Sequence, residues 1–231
     1  MEQHFLNEES RSVDQAHTTR QLLERLERRG VALAWCEQVH PSQKIHQECT
    51  SLLSDHRKRE SIAKYLSANP IIKESLESML AQLAMAAGVR WQETKAELQP
   101  LAYRGWHIGR WLPTFLLIDG PLGKLLRDTN SPIAQILKLD GRIKQEARSY
   151  SLLCSARDAF NCELFRVVRN GFAHWSFHWS GSGRDAVITI IDWKTGVRQE
   201  KLSLLEAEAL HWLTTEVIYA LDACVLRKIT I

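Results

Sequence analysis

Apolar residues recur at helical spacing along most of this chain, and this periodicity limits the possible folds more strongly than any other feature. The longest such run begins near Ile143 and ends at a short polar and aromatic stretch. Its apolar side chains stand three, four and seven residues apart, at Leu153, Phe160, Leu164, Val167 and Val168. This spacing places them on one face of a core-facing helix, and Gly171 is expected to end that helix. The pattern predicts a mainly all-α protein, a helical bundle.

The rest of the chain repeats this helical pattern, with one short β element near its end. Helical patterns cover about 13–39, 42–66, 70–87 and 203–228, and a further helix is expected to start at Pro132. Ser203 and Glu206 have the spacing of a capping box. A β-branched run, a turn and a returning strand predict a two-stranded β-hairpin over about 186–202. We expect a single domain over 1–231, with an N-terminal helical extension over about 13–90 and the hairpin as an insertion.

The composition is that of an ordinary globular protein and limits the possible partners only weakly. Of 231 residues, 45% are hydrophobic and 25% charged, which suits one domain with a sizeable core. The net charge of +3 permits nucleic-acid binding through a local basic surface without requiring it. The polar start, the lack of a long apolar run and five scattered cysteines predict a reduced, cytoplasmic protein without membrane contact.

Three residues at the end of the longest helical run suit phosphate chemistry. Arg169 and Asn170 fall in or near the last predicted helical turn, and His174 falls just beyond it. A guanidinium grips phosphate oxygens in bidentate fashion, and an imidazole gives or takes a proton near neutrality. A carboxamide can orient a hydroxyl or a phosphate oxygen. The alternative is a plain protein surface, because the same three residue types also meet by chance at helix ends.

Arg169, Asn170 and His174 resemble the motif of the HEPN family (higher eukaryotes and prokaryotes nucleotide-binding domain). In that motif an Arg, often followed by Asn, Asp or His, precedes a His by four to six intervening residues. The resemblance covers about 157–179 and implies an all-helical bundle that is often dimeric. Many members are metal-independent endoribonucleases of toxin, phage-defence or RNA-processing systems, and others only bind. Some toxins carry a Tyr two residues after the His, where this chain has Ser176.

The resemblance implies a mechanism that needs neither a metal nor another cofactor. The ribose 2′-OH would attack the phosphorus and leave a 2′,3′-cyclic phosphate and a 5′-OH. His174 would be the general acid or base, Arg169 would stabilise the phosphorane, and Asn170 would position the phosphate. A two-fold dimer would bring two copies of the motif into one cleft, since one His cannot easily serve both sides of the phosphate. The expected partners are therefore RNA, a second copy of the chain, and an antitoxin or regulatory protein.

Four further residues are predicted to contact the substrate. Arg166 precedes the motif on the same helix and His178 follows it, while Arg104 and Arg110 lie in a segment where aromatic and cationic residues alternate. In a nucleic-acid-binding protein such a segment stacks bases and binds phosphates. The alternatives are a connector whose Trp side chains fill the core, a His178 that merely lines the hairpin, and a Glu163 that pairs with Arg166. Asp158 is a weaker candidate, and the basic cluster at 56–59 is either a solvated helix face or an RNA contact.

No metal site is predicted, although one set of residues has a permitted composition. Cys36, His40, His46 and Cys49 form two pairs at helical spacing, and two Cys with two His can hold zinc. Pro41 separates the pairs, and both cysteines also fit apolar stripes as small hydrophobes. Two other functions stay open: a non-catalytic module that binds RNA, nucleotide or protein through the same face, and a structural protein whose Trp-rich segments bind another chain.

Overall fold

The computed structural model describes residues 20–30, 33–74, 109, 111–118, 120–181, 185–194, 196 and 199–226. Its first helices are α1 over 20–28, α2 (Leu33–Cys36), α3 (Pro41–Ser54), α4 (His56–Ala68) and α5 over 70–74. The single helix predicted over 42–66 is wrong, because it is divided at Asp55. The Asp55 carboxylate accepts hydrogen bonds from the backbone N–H groups of Arg57 and Lys58 and so caps α4. This local bond competes with a continuous helix.

The middle of the chain is also helical, and it corrects the prediction for the longest apolar run. The helices are α6 over 111–118, α7 (Pro121–Arg127), α8 (Pro132–Asp140), α9 (Ser151–Asn161) and α10 (Glu163–Ala173), with a short 3₁₀ turn at Gln145–Ala147. The run from Ile143 is therefore two helices, separated at Cys162 and preceded by a loop. The Asp140 carboxylate stabilises that loop by accepting hydrogen bonds from the backbone N–H groups of Ser149 and Tyr150, at 3.1 and 2.9 Å.

The predicted end of the motif helix at Gly171 is likewise wrong, since Gly171 lies inside α10. A Cβ atom at this position would lie 2.0 Å from Cγ2 of Ile190. Glycine is thus needed for the close approach of a neighbouring strand, and it does not mark a helix end. The helix ends two residues later, at Ala173, and His174 is its C-cap.

A small antiparallel sheet packs on this helix. Its strands are β1 (Phe177–Ser180), β2 (Val187–Ile191) and β3 (Gln199–Ser203), in the order β1-β2-β3. The predicted hairpin is confirmed as β2 and β3, but the sheet has three strands because β1 also pairs with β2. In that pairing Phe177 lies opposite Ile190. The strand β1 is only four residues long, which is too short for its alternation to stand out in the sequence.

The last helix, α11 (Leu204–Leu221), begins as predicted and continues into a π turn at Asp222–Leu226. Both bonds of the capping box between Ser203 and Glu206 are formed. Among the helices in the described part of the chain, none is sufficiently long and apolar to cross a membrane. The observed fold is thus mostly helical with a small sheet, which confirms the mainly all-α prediction in this coarser form.

The buried apolar side chains form one cluster that draws on the N-terminal helices, the sheet and α11. Trp35 of α2 is fully buried, donates its indole N–H to the carbonyl of Leu152 at 3.0 Å, and meets Trp212 of α11 edge to face. Trp111 is also fully buried and stacks on Trp179 of β1. The alternative in which Trp111 fills the core is therefore confirmed. The helix α10 packs against β2 and β3, and its C-terminal end lies at the protein surface.

Candidate functional site

Arg169 and Asn170 bind each other at the end of α10. Both Nε and Nη2 of Arg169 donate to Oδ1 of Asn170, at 3.1 and 2.7 Å. The carboxamide is 8% exposed, so this contact fixes the guanidinium against a rigid support while Arg169 itself stays half-buried. Nδ2 of Asn170 is buried and has no hydrogen-bond partner among the described residues. A buried amide N–H without a partner costs about 1–3 kcal/mol.

His174 lies where the sequence predicted it, directly after the last residue of α10. Its backbone N–H donates to the carbonyl of Asn170 at 3.1 Å, and its side chain is exposed. The imidazole stacks on the indole of Trp193, with ring centroids 4.0 Å apart and an interplanar angle of 14°. Stacking restrains the ring by its face and leaves the two edge nitrogens free to exchange protons.

Trp175 has an unusual backbone conformation immediately after His174. Its φ of +54° is the only positive value among the non-glycine residues described. The N–H of Ser176 donates to the carbonyl of Gly171 at 2.7 Å, and the N–H of Trp175 donates to that of Phe172 at 3.3 Å. These two bonds are those of a Schellman motif, whose left-handed position normally holds glycine. A bulky residue there is strained by about 1–2 kcal/mol, and its indole is nevertheless 65% exposed.

Arg166 connects α10 to the loop that carries Trp193. Its guanidinium binds the carboxylate of Glu163 through Nε, at 2.7 Å, and that of Asp192 through Nη2, at 3.1 Å. Asp192 is fully buried, and the two carboxylates, Glu163 first, raise the pKa of Arg166 above its ordinary value. The predicted pairing with Glu163 is confirmed. Contact between Arg166 and the substrate stays a prediction. Two carboxylates already bind this guanidinium.

The other predicted site residues are more scattered. His178 lies on β1 opposite Thr189, on the exposed side of the strand. Arg104 and Arg110 lie outside the described residues. Asp158 pairs with Arg157 on α9, at 2.8 Å, and not with the motif. The cluster at 56–59 opens α4 on a largely exposed surface.

The cysteines and histidines of the hypothetical zinc set do not converge. Sγ of Cys36 donates to the carbonyl of Leu23, whereas His46 faces Cys224 at 3.6 Å. Burial and, next, the charge of Glu27 raise the pKa of Cys36 to about 11, which disfavours the thiolate that a metal needs. Within the ranges given above, no three His, Cys, Asp or Glu side chains are grouped so that they could hold a metal ion.

Three residues near His174 were not predicted as part of the site: Trp175, Asp192 and Trp193. In the sequence Asp192 and Trp193 belong to an ordinary turn between two strands, and nothing local indicates that their partners are Arg166 and His174. The sequence indicates Trp175 only weakly. It occupies a position after a helix end where glycine is the usual residue.

Comparisons of this chain with protein-family models, with curated proteins and with solved structures found no match.

Proposed function

We propose that the end of α10 is the active site of a metal-independent endoribonuclease of the HEPN type, built on a helical bundle. One observation carries the proposal: Asn170 fixes the guanidinium of Arg169 within one helical turn of an exposed His174. A fixed cation and a titratable ring are the two groups that cleavage by an internal nucleophile requires.

The chemistry uses the substrate's own 2′-OH. Its oxygen forms a bond to phosphorus while its proton passes to a general base, and the bond from phosphorus to the 5′-oxygen breaks as that oxygen takes a proton. His174 carries out one of these proton transfers. Arg169 neutralises the charge of the phosphorane, and Asn170 positions the phosphate by fixing that guanidinium. A second His174, from the other subunit of a two-fold dimer, carries out the other transfer.

The exposed indoles suggest that the substrate is single-stranded RNA. Trp193 is 56% exposed and lies against His174, and Trp175 is 65% exposed and stacks on Phe177. Unpaired bases stack on such faces with about 1–3 kcal/mol each, irrespective of sequence. Bases on either side of the cleaved phosphate would thus be held by Trp175 and Trp193, while base-paired RNA could not reach them.

The direct test is cleavage of single-stranded and transfer RNA by the wild type, His174→Ala, Arg169→Ala and, as a matched control, His40→Ala. His40 is exposed before α3 and its side chain makes no capping bond, so its loss removes an imidazole without touching α10. We expect the first two variants to lose cleavage and the control to keep it. The products should carry a 2′,3′-cyclic phosphate, a 2′-deoxy sugar at the cleaved position should block the reaction, and EDTA should not inhibit. Undiminished cleavage by His174→Ala would refute the proposal.

The cellular role we propose is that of a toxin or phage-defence effector held in check by a protein partner. Expression of the wild type should then arrest growth, whereas His174→Ala should not. The second candidate is a module that binds RNA without cleaving it, which the two exposed indoles would serve equally well. RNA binding by the wild type with no cleavage product at any protein concentration would favour this second function.

A further inference from the structure

A second surface concentrates positive charge away from the end of α10. Between α7, α8 and α9 lies a cavity of about 390 Å³. Four basic side chains line it, from Arg127, Lys138, Arg142 and Arg157, and no Asp or Glu is among its lining residues in the described part of the chain. Among the described residues, its lining includes none of Arg169, Asn170, His174 or the contacts given for them above, so the proposed nuclease does not account for it.

Two of these cations, Arg127 and Arg157, are bound by other residues of the protein. Nη1 of Arg127 donates to the carbonyl of Phe160 and to Oδ1 of Asn161, so it joins the end of α7 to the end of α9. Arg157 is held by Asp158, at 2.8 Å, and only 17% of its side chain is exposed. A Cβ atom at Gly141 would lie 3.1 Å from Nη2 of Arg157, so the glycine lets the guanidinium reach the cavity edge.

The other two cations, Lys138 and Arg142, are exposed. Lys138 stands in the last turn of α8, and Arg142 follows its C-cap. Among the described residues, no carboxylate forms an ion pair with Lys138 or Arg142, whereas nearby Arg157 has Asp158. Four cations around one cavity repel one another, and among the described residues the lining contributes no carboxylate. An anion of high charge would remove this repulsion and form charge-assisted hydrogen bonds with several of them.

The size of the cavity and its remaining side chains indicate which class of anion it can bind. A volume near 390 Å³ is at the lower end of the range for small-molecule sites. The amides of Gln135 and Asn161 add donors and acceptors to the lining, and Leu126 and Ala134 add an apolar floor. We propose that this cavity binds a small phosphorylated molecule the size of a nucleotide, with its phosphates on Lys138, Arg142 and Arg157.

The test compares two variants that change the net charge equally. Lys138→Glu with Arg142→Glu reverses the two exposed cations of the cavity, and Arg57→Glu with Arg59→Glu reverses two exposed cations on α4. Isothermal titration calorimetry with ATP, pyrophosphate, adenosine and a 2′-O-methyl RNA strand gives the affinities. Thermal melts followed by circular dichroism verify that both variants fold. We expect saturable binding of ATP and pyrophosphate but not of adenosine. The cavity variant should bind at least about tenfold more weakly, and the α4 variant within about threefold of the wild type.

Three results would overturn the proposal. The first is equal weakening in both double variants, which would mean that only the overall charge matters. The second is no saturable binding of ATP or pyrophosphate by the wild type. The third is a cavity variant that loses affinity only for a 2′-O-methyl RNA strand. This result would mean that the cations bind a nucleic-acid strand and not a small molecule. None of these measurements depends on RNA cleavage. The nuclease proposal can therefore be refuted while the anion site is confirmed, and the anion site can be refuted while the nuclease proposal is confirmed.

Discussion

At the residue scale, the site depends on pairs of side chains that restrain each other. Arg169 lies against Oδ1 of its sequence neighbour Asn170, and His174 lies against Trp193 from a different part of the chain. The first pair needs only that a long side chain folds back along its own helix. The second needs the loop after β2 to return to α10, which the ion pair between Arg166 and Asp192 stabilises.

The stack between His174 and Trp193 leads to a prediction that rests on the proposed function. Trp193→Ala frees the imidazole and removes a base-stacking face, so kcat/KM on a single-stranded RNA should fall by about tenfold or more. Trp193→Phe retains an aromatic face and should keep most of the activity. Equal losses in the two variants would show that the aromatic face is not what matters.

The strained residue Trp175 leads to a prediction that separates stability from function. Trp175→Gly removes the cost of a left-handed conformation for a bulky residue, so the free energy of unfolding should rise by about 1 kcal/mol. Binding of a non-cleavable 2′-O-methyl RNA should weaken in the same variant, because an exposed stacking face is lost. Urea unfolding followed by far-UV circular dichroism and a binding titration measure the two effects. A clear loss of stability would instead identify Trp175 as a packing residue.

At the scale of elements, polar side chains and small residues decide where the helices start and how closely they pack. The best example is Glu48 of α3, which is 1% exposed and caps α9. Its carboxylate accepts hydrogen bonds from the backbone N–H groups of Leu152 and Leu153, both at 2.9 Å, and from the hydroxyl of Ser151 at 3.2 Å. The partners are more than a hundred positions apart in the chain, so the start of α9 is determined by tertiary structure.

Glu48 gives the folding stability a defined pH dependence. Burial raises its pKa above 4.5, although the bonds from Leu152 and Leu153 oppose the rise. The folded state therefore holds this proton more tightly than the unfolded state does. The stability that Glu48 contributes is complete below pH 4.5 and declines as the pH rises through the raised pKa.

Glu48→Gln removes this titration together with one of the acceptor oxygens. Urea unfolding should show the variant to be less stable by about 1–3 kcal/mol in acid, and the difference from the wild type should narrow towards neutral pH. Glu146→Gln on the exposed 3₁₀ turn is a matched control and should change neither the stability nor its pH dependence. A difference that grows as the pH rises would contradict the raised pKa.

At the scale of the whole molecule, the sheet and α10 form one unit whose open end carries the motif. Ile190 packs against Gly171, and Phe172 stacks on Phe177 and contacts Phe115 at a tilt. The C-terminal end of α10 carries His174, whose side chain is exposed. The proposed dimer would bring two such ends together, and this arrangement can be tested without knowing the natural RNA target.

Subunit mixing tests the composite cleft. Arg169→Ala and His174→Ala should each be inactive alone, and their mixture should recover part of the wild-type cleavage. Recovery is expected because a mixed dimer contains one intact Arg169 and one intact His174 in the shared cleft. Sedimentation velocity should show that both variants remain dimeric. An inactive mixture of variants that do exchange subunits would refute the composite cleft, and a monomeric wild type would remove its basis.

Local patterns in the sequence were sufficient to predict the helical class and the capping box at Ser203. They also correctly placed Arg169, Asn170 and His174 at a helix end. These features depend on neighbours within about four residues, which the order of the amino acids determines directly. The same local information misplaced two boundaries. Asp55 divides a helix by capping the next one, and Gly171 continues a helix because Ile190 requires the space.

Only the tertiary structure decided which distant groups meet. The stack of Trp193 on His174, the buried Asp192 beside Arg166 and the four cations around one cavity all join residues from separate elements. The strand β1 belongs to the same class, since it is a strand only through its pairing with β2. Such contacts are selected by the packing of the whole core, whose energy is spread over many side chains and leaves no mark in any one stretch of sequence.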